Sequence, residues 1–242
     1  MSCSFSNSGS WISSGGLDNI CSLHRVDKGK IGPTQVELHG HTGFISSSHL
    51  LSNDSRVITS SGDGTCKLWD IETKRVIRDF DNGHVGSVEA LVLSKDEKTF
   101  LSCGIDATVR LWDLNSKKNQ RVYVGHTKDI NDVKFHPNET SFATVAEDGR
   151  SFLYDTRTDV DVMQYHVAYQ PPLSACDFSL SGRLLFVGSP NSYIYALDTL
   201  KGTCLSQGRY RQNDNITCLA TSPTGHVLAS SGWSTDIKMW FM

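Results

Sequence analysis

One hairpin-like motif recurs along this chain at an almost fixed interval. It reads "SSGDGTCKLWDIET" at 60–73, "GIDATVRLWDL" at 104–114 and "AEDGRSFLYDT" at 146–156, with weaker copies "SPNSYIYALDT" at 189–199 and "GWSTDIKMWFM" at 232–242. The aligned positions are Trp69, Trp112, Tyr154, Leu197 and Trp240, spaced by 43, 42, 43 and 43 residues. A constant period in the low forties means one supersecondary unit used repeatedly, and it fixes the fold class before any other feature is read.

Each unit reads as four strands. In the second they fall at 44–51, 56–61, 65–70 and 75–80, separated by short turns of Gly, Asn, Asp or Ser. Asp63-Gly64 offers the two positive φ angles of a tight hairpin, and "TCKLW" alternates after it. Units are expected at about 1–39, 41–82, 84–124, 126–166, 168–208 and 210–242, as one all-β domain. Gly-His precedes three of the motifs, at His41, His84 and His126, and a hydroxyl stands four residues before each turn Asp, at Thr59, Ser102 and Thr144. With Asp63, Asp106 and Asp148 and with Trp69, Trp112 and Tyr154, each unit offers an imidazole, a hydroxyl, a carboxylate and an aromatic donor. Such a set can close a chain of hydrogen bonds between strands, as a buried polar network requires.

Composition excludes several classes of function. The 242 residues carry a dispersed net charge of −3 with no basic stripe, which argues against a nucleic-acid partner. No apolar run is long enough for a membrane helix, and the start has no secretory pattern. The seven cysteines (Cys3, Cys21, Cys66, Cys103, Cys176, Cys204, Cys218) form no C-x-x-C and read as reduced, mostly buried thiols, so the three sequons at Asn53, Asn138 and Asn215 are chance matches. Asp, His and Ser recur at the repeat period, which makes them scaffold rather than a hydrolase triad. No nucleophile elbow, phosphate loop or metal-ligand spacing is present, so neither an enzyme nor a cofactor or metal is expected.

Together these units resemble the WD40 repeats of β-propellers. "SSGGLDNICSL" (13–23), "GHTGFIS" (40–46), "SSGDGTCKLWDIET" (60–73), "GHTKDIN" (125–131) and "SLSGRLLF" (179–186) are, in order and spacing, similar to the β subunit of heterotrimeric G proteins. The resemblance implies a non-catalytic scaffold in receptor-coupled signal transduction. It would lie in the cytoplasm, or at the inner face of the plasma membrane through its partners. It implies a Gα-binding face at Met1, Leu17, Asn19, Phe44, Ser87, Glu89, Asp129, Asn131, Glu147 and Trp233. At Ser87 and Glu89 the family has an acidic and then an apolar residue, so this pair departs from the pattern. A general WD40 adaptor for other proteins is the alternative reading.

Three units depart from the tetrad. The first has His24 in the Trp position with Asp18 and Ser14 kept; the fifth has Leu197, Asn191 and Val187; the sixth keeps Trp240 and Ser230 but has Gln212 and Ser234 for His and Asp. These units are expected to be less rigid. The family's N-terminal coiled-coil helix has no counterpart here, which implies weak or absent γ-subunit pairing. Against the family's seven blades, the six units, the last without its outer strand, lead to the expectation of an open arc flanked by the 1–39 and 210–242 sheets.

Overall fold

The computed structural model describes residues 2–81, 83–116, 118–167, 169–205 and 210–241. Among them every regular element is a β-strand, and no helix is long and apolar enough to cross a membrane. The chain divides into two compact units, Met1–Val122 and Tyr123–Met242, and each is described by itself.

The first unit holds three antiparallel sheets, each a meander of four strands. They are β1 (Ser2–Phe5), β2 (Trp11–Gly15), β3 (Cys21–Asp27) and β4 (Lys30–Leu38); β5 (Ile45–Leu50), β6 (Arg56–Ser61), β7 (Cys66–Asp70) and β8 (Arg75–Phe80); and β9 (Val88–Leu93), β10 (Thr99–Gly104), β11 (Val109–Asp113) and β12 (Asn119–Tyr123). The strands of the second sheet lie within a residue of the ranges expected from alternation and turn residues. In the second unit, β13 (Ile130–Phe135), β14 (Ser141–Ala146), β15 (Arg150–Asp155) and β16 (Asp161–His166) form the fourth sheet. The fifth is β17 (Ala175–Phe178), β18 (Leu184–Gly188), β19 (Tyr193–Asp198) and β20 (Tyr210–Arg211), and the sixth is β21 (Ile216–Thr221), β22 (Val227–Gly232) and β23 (Lys238–Phe241). The sixth sheet thus has three strands among the described residues. The unit boundary expected at 208–210 falls inside the fifth sheet, because Tyr210 and Arg211 pair with Ile194 and Tyr193.

These sheets are blades packed face to face. Residues 57–61 of β6 and the run Cys66–Trp69 of β7 are buried on both faces, so middle strands read as apolar and hydroxyl runs rather than alternating ones. Outer strands such as β12 and β16 alternate between half-buried and exposed positions, since one face meets water. The cores lie between neighbouring sheets: Leu23, Leu38, Val57 and Trp69 between the first and second, and Ile58, Phe80, Phe100 and Trp112 between the second and third. In the second unit Leu153, Tyr165, Cys176 and Leu197 join the fourth and fifth sheets, and Phe186, Ile194, Ile216 and Leu228 the fifth and sixth. Cys21, Cys66, Cys103 and Cys176 are buried and none of them is in a disulfide; Cys3 and Cys218 are exposed. Burial pushes the Cys21 thiol up to about 12.

The turn joining the first two strands of every sheet holds one residue in the left-handed region. It is Gly9, Asp54 or Glu97 in the first unit and Glu139, Gly182 or Gly225 in the second. Glycine adopts this conformation at no steric cost, whereas an L side chain costs about 1 kcal/mol. The acids in the first unit have a use for the position. Glu97 accepts the Ser52 N–H at 2.5 Å and the Ser52 hydroxyl at 2.9 Å, and Asp54 accepts the Ser8 hydroxyl at 2.5 Å, so each carboxylate clamps the preceding sheet's turn. Glu97→Ala should lose the clamp and keep the strain, while Glu97→Gly loses the clamp and relieves it. Glu97→Ala is therefore expected to be the less stable in urea by about 1 kcal/mol; equal midpoints would show that the turn is not strained.

Candidate functional site

The repeated polar set is built around a hairpin between the second and third strands. In the hairpin between β6 and β7 Gly64 alone is left-handed, at φ 84°, and Asp63 is not. The Gly64 N–H bonds the Ser61 carbonyl and the Ser61 N–H bonds the Thr65 carbonyl, both at 3.1 Å. This is the three-residue loop of a turn followed by a left-handed residue, not the two-residue turn expected from Asp-Gly. The geometry frees the Asp63 carboxylate to take four donors: Thr65 N–H at 3.0 Å, Thr65 hydroxyl at 2.7 Å, Thr42 N–H at 3.0 Å and His41 Nδ1 at 2.8 Å. On its other side the His41 ring meets Thr59 Oγ1 at 2.8 Å, and the Trp69 indole donates to the same oxygen at 2.8 Å.

The donors fix the direction of the relay. The indole can only donate and the carboxylate only accept, so with a neutral imidazole the Thr59 hydroxyl donates to Nε2 and Nδ1–H donates to Asp63. The network is an open, one-way relay rather than a closed chain. The third sheet repeats it: Trp112 to Ser102 at 2.9 Å, Ser102 to His84 at 2.7 Å, and His84 to Asp106 at 3.0 Å. In the fourth sheet His126 bridges Thr144 at 2.8 Å and Asp148 at 3.0 Å, but Tyr154 does not join them. Its hydroxyl meets the Val124 carbonyl at 3.5 Å, because a phenol carries its oxygen at the ring's far end and an indole carries its N–H on the flank.

The departing blades differ in kind. In the sixth sheet Trp240 donates to Ser230 at 3.0 Å and Ser230 to Gln212 Oε1 at 2.5 Å, so an amide replaces the imidazole and the relay persists. Its other end donates to the Asp236 carbonyl at 3.2 Å and the Ser234 hydroxyl at 3.4 Å. In the first, His24 Nε2 lies 3.4 Å from Ser14. In the fifth the network is gone, and Asn191 donates to the Tyr195 hydroxyl at 2.8 Å.

Burial alone would raise the pKa of Asp63 and Asp106; the hydrogen bonds from His41, Thr42 and Thr65, and from His84, Thr108 and Val85, outweigh it and hold both well below the carboxylate range. Asp148 is held low in the same way. Burial lowers the pKa of His126 despite the neighbouring Asp148, consistent with a neutral ring. Elsewhere in the second unit Asp132 and Asp177 are pushed up by burial, with the Lys134 ammonium 3.9 Å from Asp132.

Of the residues expected on the partner-binding face, Met1 lies outside the described residues. Several others fall on one backbone clamp at the end of the sheet where the first strand begins and the second ends. Gly62 N–H bonds the Phe44 carbonyl at 2.8 Å, Ile105 the Ser87 carbonyl at 3.1 Å, Glu147 the Asp129 carbonyl at 2.9 Å and Trp233 the Asn215 carbonyl at 3.1 Å. Trp233 and Leu17 project into solvent, 75% and 72% exposed, and Glu147 is exposed. Asn19 sits in a left-handed turn with its amide on the Thr42 carbonyl at 3.4 Å, and Glu89 is half-buried on β9. Two side chains are partly used inside the fold: Asn131 donates to the Leu173 carbonyl at 2.7 Å and Ser87 to the Gly62 carbonyl at 3.4 Å. Ile105 was not among the expected residues, yet it occupies the same clamp slot as Glu147 and Trp233 and is exposed, with its side chain against Gly86. The repeat period alone would have pointed to it.

Four-stranded blades carrying this relay define a WD40-repeat β-propeller protein. The family model for G protein beta WD-40 repeat proteins matches residues 1–241. Relatives include the guanine nucleotide-binding protein subunit beta of Nicotiana tabacum, 37% identical over 258 residues covering 99% of this chain and 69% of that protein. Those of Solanum tuberosum and Arabidopsis thaliana are 38% and 36% identical, each over 99% of this chain and 68% of the relative. The chain belongs to the G protein beta WD-40 repeat family, and it is a G-beta-like WD40 scaffold.

Two measurements test the relay. Trp112→Ala removes a buried ring stacked on Phe100 and takes the indole donor from Ser102, and should cost about 3–5 kcal/mol in urea; parental stability would exclude a structural relay. The second concerns protons. Unfolded, His126 takes one up as pH falls through about 6.5, and folded it resists, so stability is lost as pH falls through that value. Asp148 adds a loss further into acid. Asp132 and Asp177 carry the opposite sign: they favour the fold in acid, and their contribution fades as pH rises. His126→Gln, which copies the amide found at Gln212, isolates the imidazole. Its urea midpoint should decline less steeply than the parent's between about pH 7.5 and 5.5; parallel declines would mean that His126 does not remain neutral.

Proposed function

We propose that this chain is a non-catalytic scaffold of receptor-linked signalling that binds a G-alpha subunit through the clamp-end loops of its blades. Such a role would hold it at the inner face of the plasma membrane through its partners. The observation that carries the reading is Trp233. Its backbone is fixed by the bond to Asn215, yet its indole stands three-quarters exposed, and so does not contribute to a core. A large, rigid aromatic held in water on a fixed backbone has the character of an interface anchor. Asp129, Glu147, Leu17 and Phe44 supply acidic and apolar contacts at equivalent ends of their own sheets. The tetrads serve the scaffold, since their polar atoms are consumed within it, and they offer no free nucleophile or base.

Titration with a GDP-bound G-alpha subunit tests the reading. Trp233→Ala should weaken binding by at least about 2 kcal/mol, roughly thirtyfold, with the urea midpoint unchanged. A fall in stability like that of a core variant would make Trp233 a packing residue. Absence of G-alpha binding by the parent would favour an adaptor for other proteins.

A further inference from the structure

Aligned on the repeat, Tyr169 in the fifth blade occupies the position that His126 holds in the fourth, as Phe178 matches Phe135. In the fourth blade the imidazole is drawn inward by Thr144 and Asp148. The fifth has Val187 and Asn191 at those places, so nothing draws the aromatic in, and Tyr169 stands wholly in solvent. Its backbone is costly as well. Tyr169 and Gln170 are both left-handed, at φ 65° and 43°, although neither is glycine and Gln170 precedes a proline.

That conformation is held from several sides. Gln170 N–H bonds the Val167 carbonyl at 3.0 Å, Leu173 N–H bonds the Ala146 carbonyl at 3.1 Å, and the Ser189 hydroxyl bonds the Pro172 carbonyl at 2.7 Å. The loop is seated on the 146–149 turn so closely that any side chain at Gly149 would strike the Gln170 carbonyl. The turn's tip is the exposed Glu147. Around it stand the half-buried Asp129, the exposed Lys128 and the half-buried Arg150, while Asp148 is engaged by His126. An apolar partner group covering this spot would leave the Glu147 carboxylate desolvated and unpaired, which is costly. A cation would satisfy the carboxylate, and the exposed Tyr169 ring, on the loop packed against the same turn, offers a cation its face.

We propose that Tyr169 is a partner-contact anchor of the second unit, its ring and the neighbouring Glu147 receiving a lysine or arginine side chain of the bound protein. This rests on the G-alpha reading above. The test is titration with GDP-bound G-alpha of the parent, Tyr169→Ala, Tyr169→Phe, Glu147→Gln and the Ala/Gln double variant, with Trp233→Ala as reference. Tyr169→Ala should weaken binding about tenfold with an unchanged urea midpoint, Tyr169→Phe should bind as the parent does, and the double variant should lose less than the two single losses combined. Parent-like binding by Tyr169→Ala beside a weakened Trp233→Ala overturns the anchor and leaves the G-alpha reading standing. Equal losses in Tyr169→Phe and Tyr169→Ala overturn the cation, because the phenol hydroxyl would then be the contact. If the parent does not bind G-alpha, both readings fall together.

Discussion

A buried hydroxyl is the group on which the blade's polar architecture turns. Thr59, Ser102 and Ser230 each take an indole proton and hand their own to an imidazole or an amide oxygen, within a core from which water is excluded. Of the available side chains only a hydroxyl does both at so short a reach. The sixth sheet shows what can vary around it: with Ser230 kept, glutamine serves in place of histidine. The fifth shows the other limit. Val187 replaces the hydroxyl, and the indole, carboxylate and imidazole positions hold Leu197, Asn191 and Tyr169 instead. A network missing its centre would leave buried donors and acceptors unpaired, which is worse than an apolar core. The fifth blade has accordingly lost all four members together, whereas the fourth, which keeps its hydroxyl, keeps the imidazole and carboxylate as well without an indole.

Much of this was legible from spacing alone. The strands of the second sheet and the members of the second and third tetrads follow from a fixed period, because packing forces equivalent residues into equivalent places. Tyr154 was misleading: its class suggested a donor, but where a donor atom sits on a ring cannot be read from a repeat. The turn at Asp63-Gly64 was legible as a turn but not as a three-residue loop, since the same dipeptide serves both. The left-handed slot at Asp54 and Glu97 was invisible because its partner is a serine some 45 residues earlier, in another sheet. The partner-facing residues came from family resemblance alone. Period and composition cannot show that Asn131 turns its amide inward to Leu173.

The seams between blades draw on a further set of groups. The Ser47 hydroxyl accepts the Leu91 N–H, Asp132 the Cys176 N–H and Asp177 the Thr221 N–H, each from the first strand of the next sheet. Two of these ties bury a carboxylate, and burial raises both pKa values. Ionised, such a group is a poor source of stability and a good source of register, because few placements of the neighbouring strand satisfy it.

Seam and relay together leave one place where side chains are nearly unconstrained. The clamp joining the start of the first strand to the end of the second is backbone to backbone, so it holds Ile105, Glu147 and Trp233 with the same bond whatever their side chains, and only at Gly62 does the Phe44 ring leave no room for one. The slot's position is set by the fold and its chemistry is not. A glycine, an aliphatic, an acid and an indole can stand at equivalent points without disturbing the sheets beneath. Divergence of surface chemistry at Ile105, Glu147 and Trp233 therefore carries little cost in stability, and partner choice can change while the blades stay as they are.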